Sequence, residues 1–295
     1  MTRQQIFHSK CAVVFRFPFE EGDPLKGKTT KENIEVIKTW LLESGSDFVP
    51  TILCDELIVL FLLSCENNVE NTKITITGHY EIKAGAPELF NNRNVSGADI
   101  QTVLDTWIIT IFPVRGKNNN AIHYFQLEDD DVRKMDNIAF LKTILMLIDI
   151  TQEKDPPDGF INIVDLKASR LRHVTKFKLD ATKKYLTYIQ EGLPIKLNAI
   201  HLINTKGFVI KLFNVLKACI RSELFDKIHF YPQNIPQEIL ETMAPKEGLP
   251  QEFGGDLPSL KELHQHTKKQ FDQRQEYWIA EERIRKNCSH FHSKS

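Results

Sequence analysis

Asp165, Ser169 and His173 stand close together in VDLKASRLRH, and their side chains are the types that make an acid, a nucleophile and a base. A serine hydrolase would set the serine on a strained, glycine-flanked turn, whereas Ser169 has Ala168 and Arg170 beside it. The simpler reading makes Asp165 the cap of a strand and places Ser169 and His173 in a turn and a helix. Cys288, His290 and His292 have metal-ligand chemistry, but they lie in a polar terminal run that reads as a frayed end. His264 and His266 are two apart on an expected helix and so point to different sides. GxSxG, GxGxxG and P-loop patterns are absent. These residues imply no catalytic site, no metal and no cofactor, and the chain reads as a non-enzyme.

A different chemistry lies in AIHLINTKGFVIKLFNVLKACIR, residues 199–221. At about 100° per residue, Phe208, Val209, Leu212, Phe213, Val215, Leu216, Cys219 and Ile220 cover most of a helical circumference. Lys206, Lys211, Asn214, Lys217 and Arg221 fill the remaining arc, with Ile210 set among them. A basic face studded with an apolar residue suits a membrane surface. Taken by itself, the pattern better suits a core helix whose lysines reach out to water.

The elements that must position these residues can be read from pattern. Ile34, Ile37, Trp40 and Leu41 mark one face of a helix that opens at Thr30. Further helices are expected over 55–65 and after Asn68, the latter weakened by β-branched residues. Strands are expected at 106–112, 121–127, 160–166, 199–204 and 228–230, and helices at 137–150, 170–190, 207–221 and from Ser259 onward. The last is charged, with few apolar anchors. Strands that alternate with long helices imply a largely parallel sheet covered by helices. Residues 1–30 are mixed, and FPFEEGDPLKGKTTKEN, residues 17–33, reads as a loop or tether.

Composition bounds the class. The 295 residues are 41% hydrophobic and 26% charged, with a formal net charge of -1. No global field draws the chain to nucleic acid. Five irregularly spaced cysteines, without CxxC, suit reduced thiols. The opening MTRQQIFHSK lacks the apolar run of a signal peptide. LIVLFLL, residues 57–63, is too short to span a bilayer. A cytoplasmic monomer is the expectation.

Four segments in order carry a family resemblance: GFINIVDL (159–166), LPIKLNAIHLIN (193–204), FDKIHF (225–230) and LPQEFGG (249–255). Together they resemble the CRAL-TRIO, or Sec14-like, lipid-binding family, and within it the tocopherol- and retinaldehyde-carrier branch. Leu249, Pro250, Glu252, Phe253, Gly254 and Gly255 match its closing motif, and Pro194, Lys196, Ile203 and Asn204 match a second element. LCDELIVLFLLSC and APELFNN resemble its helical leader. The chain departs from the pattern at Leu63, Ser64 and Glu66, at Ala168, and at Tyr231-Pro232.

The resemblance implies an α/β fold. A helical module over 1–95 would precede a lipid-binding domain over 96–265, with a charged helix and tail over 266–295. Its mostly parallel sheet, flanked by helices, would enclose an apolar lipid cavity closed by a helical lid. Strand alternation puts Phe160, Asn162 and Val164 on one face, Ile161 and Ile163 on the other. By similarity the Phe160 face looks into the cavity, with Asn162 as its polar group. The same similarity adds Leu171, Phe177, Tyr185, Tyr188, Ile189, Leu193, Leu197 and Ile200 to the lipid site. From the lid come Val209, Leu212, Phe213 and Leu216. Lys196 and Lys227 match a phosphoinositide patch; Lys217 and Arg221 supplement it, where Asn198 and Glu223 replace basic residues. The implied function is binding of a tocopherol, retinoid, carotenoid or similar lipid, and its transfer between membranes with release at a phosphoinositide surface. The alternative is a sensor or adaptor that presents its C-terminal helix to a partner.

Overall fold

The β-branched and aromatic runs predicted as strands do pair, and they form one five-stranded sheet. The computed structural model describes residues 28–153 and 155–291, with side chains described through Lys286. The tether expected at the start of the chain lies outside these residues up to residue 27, as do the side chains of Cys288, His290 and His292. Sheet order is β1 (Trp107–Ile111), β2 (Asn120–Leu127), β3 (Gly159–Asp165), β4 (Leu197–Ile203), β5 (Ile228–Phe230). β1 and β2 are antiparallel, and every later pair is parallel. Parallel neighbours need crossovers, and the chain supplies helices for each.

The N-terminal helices are α1 (Lys31–Glu43), α2 (Asp55–Ser64), α3 (Val69–Gly85) and the short α4 (Pro87–Phe90). Thr30 caps α1 by accepting from Asn33 N at 3.2 Å, and Asn68 caps α3 by accepting from Asn71 N at 2.9 Å. Ile34, Ile37, Leu41, Ile58, Phe61, Leu62, Ile76 and Tyr80 pack together as a separate small core. That burial lets α3 stay helical through Ile74-Thr75-Ile76-Thr77, because tertiary packing outweighs the β-branched preference. Helix α5 (Ala98–Thr106) leads directly into β1 and was not expected from pattern.

The first crossover is α6 (Asn137–Thr151), capped by Asp136, which accepts from Ile138 N and Ala139 N. The second is two helices, α7 (Leu171–Val174) and α8 (Leu179–Glu191), rather than the continuous helix expected over 170–190. The chain is diverted at Lys178, whose N–H donates to the buried Asn137 side chain at 2.9 Å. The third is α9 (Gly207–Leu216) followed by a 3₁₀ turn over Lys217–Cys219 and α10 (Ser222–Phe225). Here the helix expected to reach Arg221 stops early. Gln190 donates to Cys219 O at 3.1 Å and accepts from Arg221 N at 2.7 Å, which holds the chain in an extended bend at Ile220.

Helix α11 (Gln237–Met243) and the long α12 (Leu260–Phe291) cover the other face of the sheet. The closing LPQEFGG motif now has physical content. Gly254 adopts φ 73°, the left-handed region that favours glycine. A Cβ at Gly255 would collide with the Leu249 carbonyl. The Glu252 carboxylate caps α12, accepting from Leu260 N at 2.9 and 3.1 Å. Helix α12 is not poorly anchored: Phe271 and Trp278 are fully buried, and Leu260, Leu263 and Tyr277 are nearly so. The charged composition hid these residues because they recur sparsely along a helix of about nine turns.

A buried ionic cluster ties α12 to the rest. Glu281 meets Lys83 of α3 at 3.0 Å, Arg93 of the loop after α4, and Arg285 at 3.5 Å. Asp149 of α6 accepts from Arg93 at 2.9 Å and from Trp278 Nε1 at 3.0 Å. Burial alone would raise the Glu281 carboxyl, but Lys83, Arg93 and Arg285 outweigh it and hold it well below the usual carboxylate range.

Candidate functional site

Strand alternation splits the sheet as expected. Ile161 and Ile163 pack under α11 and α12, while Phe160 and Val164 belong to the opposite core. On that second side a pocket of about 230 Å³ opens between the sheet and the crossover helices. Its floor includes Asn162, Val164, Leu197 and Ile200, and its far wall Phe177, Tyr185 and Ile189. Helix α9 closes it with Val209, Leu212, Phe213 and Leu216. Phe213 points inward and meets Phe230 edge to face at 5.1 Å.

Four residues expected in the pocket lie elsewhere. Phe160 shares the pocket face but stacks on His123 at 5.2 Å, inside the core. Leu171, at the start of α7, is 66% exposed and turned outward. Tyr188 sits between α8 and α3, its hydroxyl 3.2 Å from His79 Nδ1 and its ring against Phe90. Leu193 lies past the end of α8 and lines a neighbouring, more polar pocket. The family resemblance grouped Tyr185, Tyr188 and Ile189, yet the docking of α3 takes one side of α8 and the pocket the other.

Residues of β1, β2 and α6 complete the wall, among them Trp107, Phe125, Phe140 and Ile144. Trp107 and Phe140 stack at 4.1 Å. These were not identified from pattern. The run NIAFLKTILMLIDI is apolar all round, so no single face marks itself.

Few polar groups reach the pocket, and most are engaged. Asn137 accepts from Lys178 N and Thr182 Oγ1. His173 Nδ1 accepts from Arg170 N at 2.9 Å, and its Nε2 lies 3.0 Å from Asp130 O. Both ring nitrogens are thereby engaged, so His173 holds a loop and is not turned to Ser169 as a base. Asp165 accepts from Lys167 N, Asn204 Nδ2 and Tyr124 OH, the strand-end role expected of it. Asn204 adopts φ 52° to do so. The side chains of Ser169 and Tyr185 make no hydrogen bond among the described residues. Burial pushes the Tyr185 hydroxyl pKa up. Asn162 lies 3.1 Å from His123 Nδ1 through one end of its amide; the other end has no partner among the described residues.

Three of the four expected cations gather around the neighbouring pocket, of about 300 Å³: Lys196, Arg221 and Lys227. Each is already engaged. Lys196 pairs with Glu66, Arg221 with Glu191, and Lys227 donates to Leu197 O at 2.8 Å. Glu191 and Glu223 line the same pocket. Lys217 is apart, its ammonium 5.0 Å over the Phe225 ring. No helix among the described residues is long and apolar enough to cross a membrane.

A mostly parallel sheet is covered on one side by crossover helices, and between them lies an apolar pocket. The CRAL/TRIO domain model matches residues 106–255, and the chain belongs to that family. A Pinta-like UBA domain model matches residues 26–100. Alpha-tocopherol transfer protein-like of Homo sapiens is 23% identical over 213 residues, 71% of this chain and 61% of the relative. Its Mus musculus counterpart is 22% identical over 216 residues, 72% and 62% of the two chains. The chain thus spans about six tenths of the length of these curated relatives. The crystal structure of Sfh5 superimposes with a TM-score of 0.51 at 13% identity, covering 83% of this chain and 92% of that one, a likeness of fold.

Proposed function

We propose that the chain binds a hydrophobic small molecule in the pocket under α9 and transfers it between membranes, without catalysis. A tocopherol, retinoid, carotenoid or similar lipid is the ligand class. The observation that carries the reading is α9 itself. Its inner face supplies Val209, Leu212, Phe213 and Leu216 to the pocket, while Ile210 and Val215 are 46% and 60% exposed on its outer side. A helix apolar toward both a pocket and solvent is suited to move between ligand and bilayer. The pocket, at about 230 Å³, falls below the roughly 300–1,000 Å³ of ordinary ligand sites, so a lipid enters only as α9 shifts.

Leu171 adds to the outer apolar surface. It follows the loop that Lys206, just before α9, holds by donating to Lys167 O and Ser169 O. Docking on an anionic, phosphoinositide-containing surface would use Lys211 and Lys217 beside these residues. It would recruit Lys196 and Arg221 only as they exchange their carboxylate partners, and Lys227 only as it leaves the Leu197 carbonyl. At about 1 kcal/mol per basic residue, such docking is weak and reversible. The reading makes the chain a cytoplasmic monomer, transiently peripheral to membranes.

The test is transfer of a fluorescent lipid between vesicles by Ile210→Glu/Val215→Glu. Both side chains point outward, so folding and ligand content should stay unchanged while transfer falls at least tenfold. Unchanged transfer refutes this role for α9.

A further inference from the structure

We propose that Asn162 turns its carbonyl oxygen toward the pocket, and that His123 and Thr151 impose this choice, so the site selects a hydrophobic ligand bearing a hydroxyl group. The ligand half of this rests on the lipid-binding reading above; the geometric half stands on its own.

Three contacts run in series away from the pocket. The end of the Asn162 amide assigned as Oδ1 is 3.1 Å from His123 Nδ1, His123 Nε2 is 2.8 Å from Thr151 Oγ1, and Thr151 Oγ1 is 2.8 Å from Leu147 O. Asn162, His123 and Thr151 are all buried. Each contact needs one proton, and Leu147 O can only accept. Burial keeps the imidazole neutral by pushing its pKa down to about 3, so the ring brings one proton. The Thr151 hydroxyl brings one.

Suppose Asn162 Oδ1 faces the ring. Nδ1 must then carry the imidazole proton, and Nε2 must take the single proton of Thr151. Thr151 Oγ1 and Leu147 O are left 2.8 Å apart with no proton between them. Now suppose the NH₂ end faces the ring. It donates to Nδ1, Nε2–H donates to Thr151, and Thr151 donates to Leu147 O. All three contacts are filled. The two ends of an amide have the same shape, so the exchange displaces no neighbour. The carbonyl oxygen becomes the end without a protein partner, on a residue that lines the pocket.

An unpaired carbonyl in an apolar pocket favours a ligand that donates to it. An alcohol or phenol does so. An ether, ester or aldehyde brings only acceptors. The Ser169 and Tyr185 hydroxyls donate or accept equally and so do not discriminate.

The orientation is read without ligand, from the nitrogen NMR spectrum of ¹⁵N-histidine-labelled chain. His123 is expected as the Nε2–H tautomer, and the Nδ1–H tautomer overturns the proposal. Selectivity is read by titrating 4-(1-pyrenyl)butanol and its methyl ether. The alcohol should bind about five- to tenfold more tightly, the worth of one neutral hydrogen bond. Thr151→Val removes the acceptor for Nε2–H at almost constant shape. The ring should switch to Nδ1–H, the amide turn over, and the preference vanish or reverse. Asn162→Leu should erase it. Equal affinities in the unaltered chain, or a preference that survives Thr151→Val, refutes the assignment. If neither probe binds, the lipid-binding reading fails with its selectivity, while the histidine spectrum still decides the geometry.

Discussion

Replacing Glu281 by glutamine removes one charge from the cluster that ties three parts of the chain together, and leaves its shape. Lys83, Arg93 and Arg285 meet Glu281, and Asp149 is the other carboxylate of the group. Three cations would then share one anion, all at buried positions. At an effective dielectric of about 20, a pair 3.0 Å apart is worth roughly 5 kcal/mol before desolvation. Breaking one partner of a buried pair typically leaves a loss of about 3–5 kcal/mol. Taking about 4 kcal/mol and a urea slope near 3 kcal/mol per molar, the midpoint should fall by roughly 1.3 M. Trp278, bonded to Asp149, makes intrinsic fluorescence a reporter at the site. Glu128→Gln, which breaks an exposed pair with Lys261, is the control and should leave the midpoint in place. A shift under about 0.3 M for Glu281→Gln would refute the view that this cluster holds α12 to the domain.

Three further outcomes follow from the same geometry. Gly255→Ala should destabilise by about 2–3 kcal/mol, because a methyl meets the Leu249 carbonyl; a normal melting curve would contradict the close approach. Burial pushes His123 down to about 3 and, with His229 beside it, His201 down to about 4. The unfolded chain therefore takes up protons first, so stability is full above about pH 6.5 and falls toward acid. His123 alone should withdraw about 2 kcal/mol at pH 5, and equal urea midpoints at pH 7.5 and pH 5 would contradict that. Gln190→Ala removes the two bonds that pin the end of the α9 segment, and should speed ligand release about tenfold in stopped-flow exchange.

Much of the framework was legible in residue order. Strand alternation assigned Phe160, Asn162 and Val164 to one face and Ile161 and Ile163 to the other, because side-chain direction along a strand is a local property. The motif LPQEFGG was legible only as a family resemblance; the fold shows that Gly254 and Gly255 answer to backbone conformation and close approach within a few residues. Ile210, out of place among lysines, is indeed one of the exposed apolar residues of α9. The break at Lys178 and the early end of α9 were not legible. Each depends on a distant side chain, Asn137 in one case and Gln190 in the other.

The membership of the pocket was decided only by packing. Tyr185 and Tyr188 are close in sequence and alike in chemistry, yet one lines the pocket and the other bonds His79 beneath α3. Leu171 looks like a core residue and is turned outward. The cations illustrate the same limit: Lys196, Arg221 and Lys227 do converge, but only the fold brings Glu66, Glu191 and Glu223 among them. Sequence by itself determined the order of the strands and their faces, because periodicity and turn chemistry act over a few residues, and four ordered motifs carried the family resemblance. Tertiary structure alone decided which side chains share a cavity and which charges are compensated, because those depend on neighbours dozens of residues away.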